Sequence, residues 1–299
     1  MSNAAFKDIT SIVIRLTVTC LLAGLIMGWA FILTHEGKEK NEQLRDEKVM
    51  YSILGYDKSN PAPATMAMHT IYRYVLTNGD SQSIGYLLPI GEKYGVVELD
   101  LGGQFVRQIP VDAVASKLRN EGERNSVMQQ AVGNQTEIRY ADSMIIVTNA
   151  GERTAYILDG KYPGFKTMIR VKMALDAQFS MLGFEVLEHE EDPGLGAEIV
   201  EKYFRGQFEG KSFEQLKSAK VIREDMPDDY RAALTGKITG KEAAEIRQKH
   251  VGDDIYALTG ATISSRSVLN GNQAMVSKFH HRMTVLDEAI KAQGIQTPF

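Results

Sequence analysis

Two short stretches far apart in the chain carry residue types that can hold a ligand. Residues 258–265 read LTGATISS, small and hydroxylated side chains around one glycine with no charge among them. Small residues let backbone N–H groups come close to a ligand, and hydroxyls beside a helix N-terminus favour an anion such as phosphate. The plainer alternative is an N-capped loop in which Ser264 or Ser265 caps the following helix. The second stretch, residues 189–196, reads HEEDPGLG. Pro193 fixes one dihedral, Gly194 and Gly196 permit close or left-handed backbone, and Leu195 is free to present an apolar face. Its plainer alternative is an ordinary strand-to-helix turn, because residues 197–201 read as helical. Alternation along a strand sends neighbouring side chains to opposite faces, so His189, Glu190 and Glu191 read as a solvated rim, without convergence on a metal or an acid/base pair.

The order Thr259-Gly260-Ala261-Thr262 resembles the [S/T]-G-A-T signature of FMN-binding domains in the G subunit of Rnf complexes and the C subunit of Na+-translocating NADH:quinone reductases. Residues 189–196 resemble that family's H-x-E-T-P-G-L-G loop, with Asp192 in place of Thr. Residues 161–166 (KYPGFK) resemble its G-Y-x-G-x-[IK] turn, and residues 203–211 (YFRGQFEGK) its F-x-x-Q-F-x-G-K stretch. The family usually has Asp three positions before the [S/T]; here Tyr256 stands there, with Asp253 and Asp254 nearby but out of register. The resemblance implies FMN joined to Thr262 by a phosphoester, installed from FAD by a flavin transferase. It implies a cofactor site of Thr262, Thr259, Gly260, Ala261, Ser264, Glu191, Asp192, Gly194, Leu195 and Gly196. The implied role is electron transfer within an Rnf-type, ferredoxin- and NAD-linked ion-translocating complex. Its implied partners are the complex's other membrane subunits, the flavin transferase and membrane lipid. The C subunit of the quinone reductase, and an anchored binding or sensor module without flavin, stay open as alternatives.

The composition fits this reading. Net charge is −4, which argues against a broad basic surface for nucleic acid. The one cysteine, Cys20, forms no internal disulfide and no thiolate cluster. Redox chemistry here must therefore come from a bound organic cofactor or from partners. No P-loop, G-x-G-x-x-G, zinc spacing or internal repeat is visible, and the middle section has no metal-spaced His/Cys/Asp set.

The elements that must position these residues follow from periodicity. Residues 16–33 (LTVTCLLAGLIMGWAFIL) carry no charge and suffice for a membrane span. Arg15 can snorkel to the headgroups, and Trp29 suits the far interface. The alternative, a cleaved signal peptide, lacks an A-x-A site. Lys7 and Arg15 precede the span, while Lys38, Lys40, Arg45 and Lys48 follow it, so the charge count does not favour an inside N-terminus. The family resemblance implies a bacterial cytoplasmic membrane with the following domain on the extracytoplasmic side. Residues 36–56 read as a charged helix leaving the membrane surface, and the run around Pro61 and Pro63 as a linker.

Residues 66–160 read as β-rich: a hairpin about Asn78-Gly79-Asp80, a strand at 94–101, a helix at 111–130, and strands at 136–140, 144–148 and 154–158. Strands follow at 168–175 and 183–189, and Phe204 and Phe208, spaced i, i+4, read as core. Lys211 and the His280–His281 pair read as surface residues, and so does His69. A helix at 241–250 leads to the signature, and a terminal helix spans 267–292. The expected fold class is α+β, a single N-terminal transmembrane helix followed by an extracytoplasmic FMN-binding domain. The expected divisions are 1–35 anchor, 36–65 juxtamembrane helix and linker, 66–160 β-rich region without assigned role, and 161–299 FMN-binding domain.

Overall fold

The structure, a computed structural model, describes residues 3–299, with the side chains of residues 11–31, 37, 41 and 44–299. Lys7, Lys38 and Lys40, which enter the charge count above, lie outside the described side chains. The chain divides after Val49 into two units.

The first unit is helical. Helix α1 (Asn3–Ile53) contains Ser11–Phe31, a stretch of 21 residues with mean hydropathy 2.0. Leu21, Leu25, Ile26 and Trp29 are exposed along it. Length and composition suffice to cross a membrane. No helix break separates the expected anchor from the expected juxtamembrane helix.

The second unit, Met50–Phe299, is built on one antiparallel sheet of eight strands in the order β4-β3-β2-β1-β5-β6-β7-β8. The strands are β1 (Met66–Asn78), β2 (Ser81–Ile90), β3 (Lys93–Asp100), β4 (Phe105–Val111), β5 (Glu137–Asn149), β6 (Glu152–Pro163), β7 (Met168–Asp176) and β8 (Met181–Glu188). Two four-strand meanders thus join where β1 pairs with β5. The division expected at 160/161 falls inside β6, and the sheet runs through it. Alternation sorts the two faces as period-two patterning demands. Tyr72, Tyr74 and Leu76 pack on one face with helices α2 (Ala115–Arg119) and α3 (Glu121–Val132). Ile71, Tyr86, Leu88 and Val97 face the larger core on the other side.

That larger core is closed by the C-terminal elements. They are a 3-10 turn (Gly196–Val200), α4 (Lys202–Arg205), a second 3-10 turn (Gly206–Phe208), α5 (Phe213–Ser218), α6 (Asp228–Leu234), α7 (Gly240–His250) and α8 (Thr262–Ala292). A short parallel pair, β9 (Val221–Ile222) with β10 (Ile255–Tyr256), ties the middle of this segment to the start of α8. Helix α8 buries Val268, Leu269, Asn272, Val276, Phe279, Met283 and Leu286, an i+3/i+4 stripe laid across the sheet. Close approach depends on two glycines: a Cβ at Gly271 would lie 2.3 Å from ring carbons of Tyr162, and one at Gly160 would lie 2.0 Å from Met275.

Several expectations need correction. The strands expected at 136–140 and 144–148 are one strand, β5. Tyr140 pairs with Tyr74 and Asp142 with Arg73, a bulge that leaves Ala141 extra. Asp142 falls in the gap between those two expected strands, and Arg73 and Arg282 both hold its charge. Residues 111–130 contain the end of β4 and two helices instead of one helix, and β4 itself went unread. His69 is half-buried, 3.1 Å from Thr148 Oγ1. His280 stacks on Phe213 at 4.4 Å and 14°, while its neighbour His281 is exposed. The terminal helix starts at Thr262, five residues earlier than its apolar pattern suggested.

Candidate functional site

Thr262 opens α8, and the loop before it is fixed from three directions. Tyr256 of β10 pairs with Ile222, and Ala257 N donates to Ile222 O at 2.8 Å. The side chain of buried Gln207 acts as a further strand: Tyr256 N donates to its Oε1 at 2.7 Å, and its Nε2 donates to Tyr256 O at 3.3 Å. Ser265 Oγ accepts from Leu258 N and donates to Ala261 O, both at 3.0 Å. Gly260 turns the chain with φ +74°, a value that side chains other than glycine's rarely adopt, and a Cβ there would also lie 2.9 Å from Leu195. Ala261, the N-cap, offers no side-chain hydrogen bond. The first N–H groups of α8 are therefore left without a side-chain cap, and the helix dipole favours negative charge at that end.

The second segment turns under this loop. After β8 ends at Glu188, Leu195 N and Ala197 N both donate to Asp192 O, at 3.1 and 3.0 Å, and Gly194 takes φ +72°. Gly196–Val200 then forms a 3-10 turn where a helix was expected. The turn at Gly164 completes the arrangement, with Gly164 N donating to Thr167 O.

Glu191 joins the three segments. It is 4% exposed, so the solvated-rim reading fails for it; Glu190 is exposed. Its Oε1 accepts from Phe165 N at 2.7 Å and Lys166 N at 3.2 Å, and its Oε2 accepts from Ser264 Oγ. Strand alternation does not extend to Glu191, because β8 ends at Glu188 and the chain then curls inward. Gly164 and Gly196 leave room for the carboxylate: a Cβ at either would lie 2.4 or 2.8 Å from its oxygens. Asp192 pairs instead with Lys166 at 2.5 Å.

These segments enclose a cavity of about 360 Å³, within the usual range of roughly 300–1,000 Å³ for ligand pockets. Of the expected site residues, Thr262, Gly260, Ala261, Ser264, Glu191, Asp192, Leu195 and Gly196 line it; Thr259 and Gly194 do not. Phe165, Ile263 and Arg223 line it as well, and sequence reasoning did not select them as site residues. Phe165 lay within a quoted motif and adjoins Glu191 only through the fold. Ile263 lies before the expected start of the terminal helix at 267, and Arg223 falls in a charged, poorly patterned stretch. Phe165 is 54% exposed, Leu195 45% and Ile263 58%, so three large apolar side chains stand at the mouth beside the Thr262 hydroxyl. Larger hollows of about 480 and 420 Å³ lie elsewhere in the unit. Their linings include cations already matched to carboxylates, such as Arg205 with Glu185 and Arg282 with Asp142.

The support beneath the loop is polar and buried. Lys211 is 1% exposed, not a surface residue, and its Nζ donates to Val251 O at 2.7 Å and Asp253 O at 2.5 Å. Burial lowers its pKa, with Asp253 and Asp254 opposing. Tyr256, where the resembling family has Asp, donates its hydroxyl to Asp253 Oδ2 at 3.1 Å. Its phenol is pushed up to about 12, by burial first and then by that hydrogen bond. His250 Nδ1 lies 2.7 Å from the same carboxylate oxygen, and Tyr230 stacks on its ring.

Among the described residues no group of His, Cys, Asp or Glu is arranged to hold a metal. An FMN-like group fits the residues present: apolar surfaces for a ring, and a hydroxyl at an uncapped helix start for a phosphate.

Residues 164–277 match the family described as FMN-binding domain. The chain is 26% identical over 129 residues to the G subunit of the proton-translocating ferredoxin:NAD(+) oxidoreductase complex of Clostridium ljungdahlii, covering 43% of this chain and 55% of that protein. It is 28% identical over 131 residues to the G subunit of an ion-translocating oxidoreductase complex of Methanosarcina acetivorans, covering 44% and 54%. The matched segment spans about half the length of these relatives. Among solved structures, Shewanella oneidensis NqrC is similar with a TM-score of 0.41 and 15% identity, over 77% of this chain and 90% of that one. The C subunit of the Na(+)-translocating NADH-quinone reductase of Parabacteroides distasonis gives 0.33 and 17%, over 69% and 74%. The sequence-level resemblance to an FMN-binding subunit of the Rnf G or Nqr C type agrees with the domain match and with the two G-subunit relatives.

Proposed function

We propose that this chain is an electron-transfer subunit of a membrane-bound, Rnf-type ion-translocating oxidoreductase, holding FMN by a phosphoester to Thr262. Bound FMN would supply one- and two-electron transfer, so the protein need only bind, orient and tune. The observation that carries this reading is the convergence of the two motif stretches on one cavity, with Thr262 at an uncapped helix start, inside the segment that matches an FMN-binding domain. Thr262 Oγ1 is the attachment point. Leu195, Phe165 and Ile263 offer apolar surface, and Glu191 ties the backbone at Phe165 to the Ser264 side chain. Gly194 and Thr259 shape the two turns without lining the cavity.

The same reading places the chain in a bacterial cytoplasmic membrane, with Ser11–Phe31 in lipid and residues 161–299 as the FMN-binding part on the extracytoplasmic side. One helix gives no path for ions, so other membrane subunits carry the translocation, coupled to ferredoxin and NAD. A flavin transferase matures the chain.

Co-expression with a flavin transferase tests this. After denaturing electrophoresis the wild-type band should fluoresce as flavin, and Thr262→Ala should be dark. A dark wild-type band would leave an anchored module without flavin.

A further inference from the structure

Arg223 stands out in the cavity as a cation without a counter-charge. Among the described residues it has no ion pair or hydrogen bond, whereas Lys166, the neighbour of lining residue Phe165, is matched to Asp192. Its position is fixed by backbone. It follows β9 directly, and Ile222, the residue before it, pairs with Tyr256 and accepts from Ala257 N. Arg223 is thereby registered against the strand that leads into the Thr262 loop. The same cavity holds the buried Glu191 carboxylate, whose two oxygens are already taken by three donors. A second negative group entering beside it needs compensation, because like charges in a partly dry site repel strongly. A guanidinium meets a phosphate with two parallel donors, a geometry that an ammonium cannot reproduce.

We infer that Arg223 is the cationic partner of the phosphate that Thr262 receives, and that it positions this phosphate for attachment. The inference rests on the covalent-FMN reading above. In the attachment step Thr262 Oγ1 bonds to the flavin-side phosphorus of FAD and its hydroxyl proton is released. The bond from that phosphorus to the bridging oxygen breaks, and AMP leaves. No electrons change hands. Arg223 is a positioning residue here: it neutralises the phosphate while the threonine oxygen approaches. Because its side chain is exposed, the pairing is salt-sensitive.

The test uses the full-length chain in detergent with purified flavin transferase, FAD and Mg2+, and follows flavin incorporation by intact mass. Arg223→Gln should label about tenfold or more slowly than wild type and Arg223→Glu more slowly still, whereas Arg223→Lys should label at a rate between wild type and Arg223→Gln, in line with the strength of charge-assisted hydrogen bonds. Raising salt should slow wild type and leave Arg223→Gln nearly unchanged. In the labelled proteins, the 31P resonance of the phosphodiester should move between wild type and Arg223→Gln. A merely structural role for Arg223 predicts neither the salt difference nor rescue by lysine. Labelling of Arg223→Gln at the wild-type rate, with an unmoved 31P line, would overturn the inference while leaving covalent FMN intact. A wild-type chain that never labels would instead overturn the parent reading.

Discussion

Removing the Glu191 carboxylate leaves three donors from two distant loops without an acceptor in a buried place. Glu191→Ala should therefore cost about 1–3 kcal/mol, the usual penalty for unsatisfied buried polar groups, read from urea unfolding of the full chain. Ser264→Ala, which removes one of those donors and leaves the acceptor its other two, should cost less. Equal losses, or none for Glu191→Ala, would contradict the role given to it. Thr262 and the glycines beside it were legible because their types are distinctive in a local string. Glu191 was not, because its burial depends on where β8 stops and how the Gly164 turn comes back to meet it. Lys211 was hidden for a related reason: a lone lysine reads as solvated, and only the fold brings the carbonyls of Val251 and Asp253 to its ammonium.

Among the elements, α8 and the sheet carry the site, since α8 begins at Thr262 and then crosses β6. Contact there is set by Gly271 over Tyr162 and by Gly160 under Met275. Gly271→Ala forces a methyl group against a buried ring and should destabilise by about 1–3 kcal/mol, as overpacking does. Gly252→Ala, whose added carbon would meet only Gln215 Nε2 at 3.7 Å, should stay within about 0.5 kcal/mol. Matching losses at both positions would mean that the α8–sheet contact is not the tight one. Alternation and i+3/i+4 spacing made β1–β3, β6–β8 and the body of α8 readable. They failed at β4, an edge strand in which Val106, Arg107 and Gln108 are exposed in succession across a register shift, and at β5, where a bulge and a paired charge imitate a loop. The start of α8 was misplaced because its first turn is chosen by Ser265 and the β10 pairing, not by an apolar stripe.

At the scale of the whole molecule, alkaline pH and lipid are the informative perturbations. Burial pushes the phenols of Tyr162 and Tyr230 above the ordinary value of 10, and Tyr256 is pushed up to about 12. The folded state keeps these protons where the unfolded chain loses them. Their stabilisation is therefore complete below pH 10 and is lost as pH rises through the folded values. Lys211 works the other way: burial lowers its pKa below 10.5, so its contribution improves with pH up to that value. One such group against three tyrosines leaves a net loss. The urea midpoint should fall as pH rises above about 10, and phenolate absorbance should appear together with unfolding. Phenolate formation well before unfolding would show these tyrosines to be solvated. In the membrane-proximal unit, replacing Leu21 and Leu25 together by arginine should release the chain from washed membranes, since each charge near a span's centre costs about 2.5–3.5 kcal/mol on insertion scales. An unchanged membrane fraction would mean that this helix is not the anchor.

The most direct measurement is peptide mass spectrometry on chain purified from membranes that contain an active flavin transferase. The peptide holding Thr262 should carry the mass of FMN less water, with fragment ions placing it on that threonine, and Thr262→Ala should give only the bare peptide. Native peptide found entirely bare, from cells in which other flavin-transferase substrates are labelled, would contradict the account.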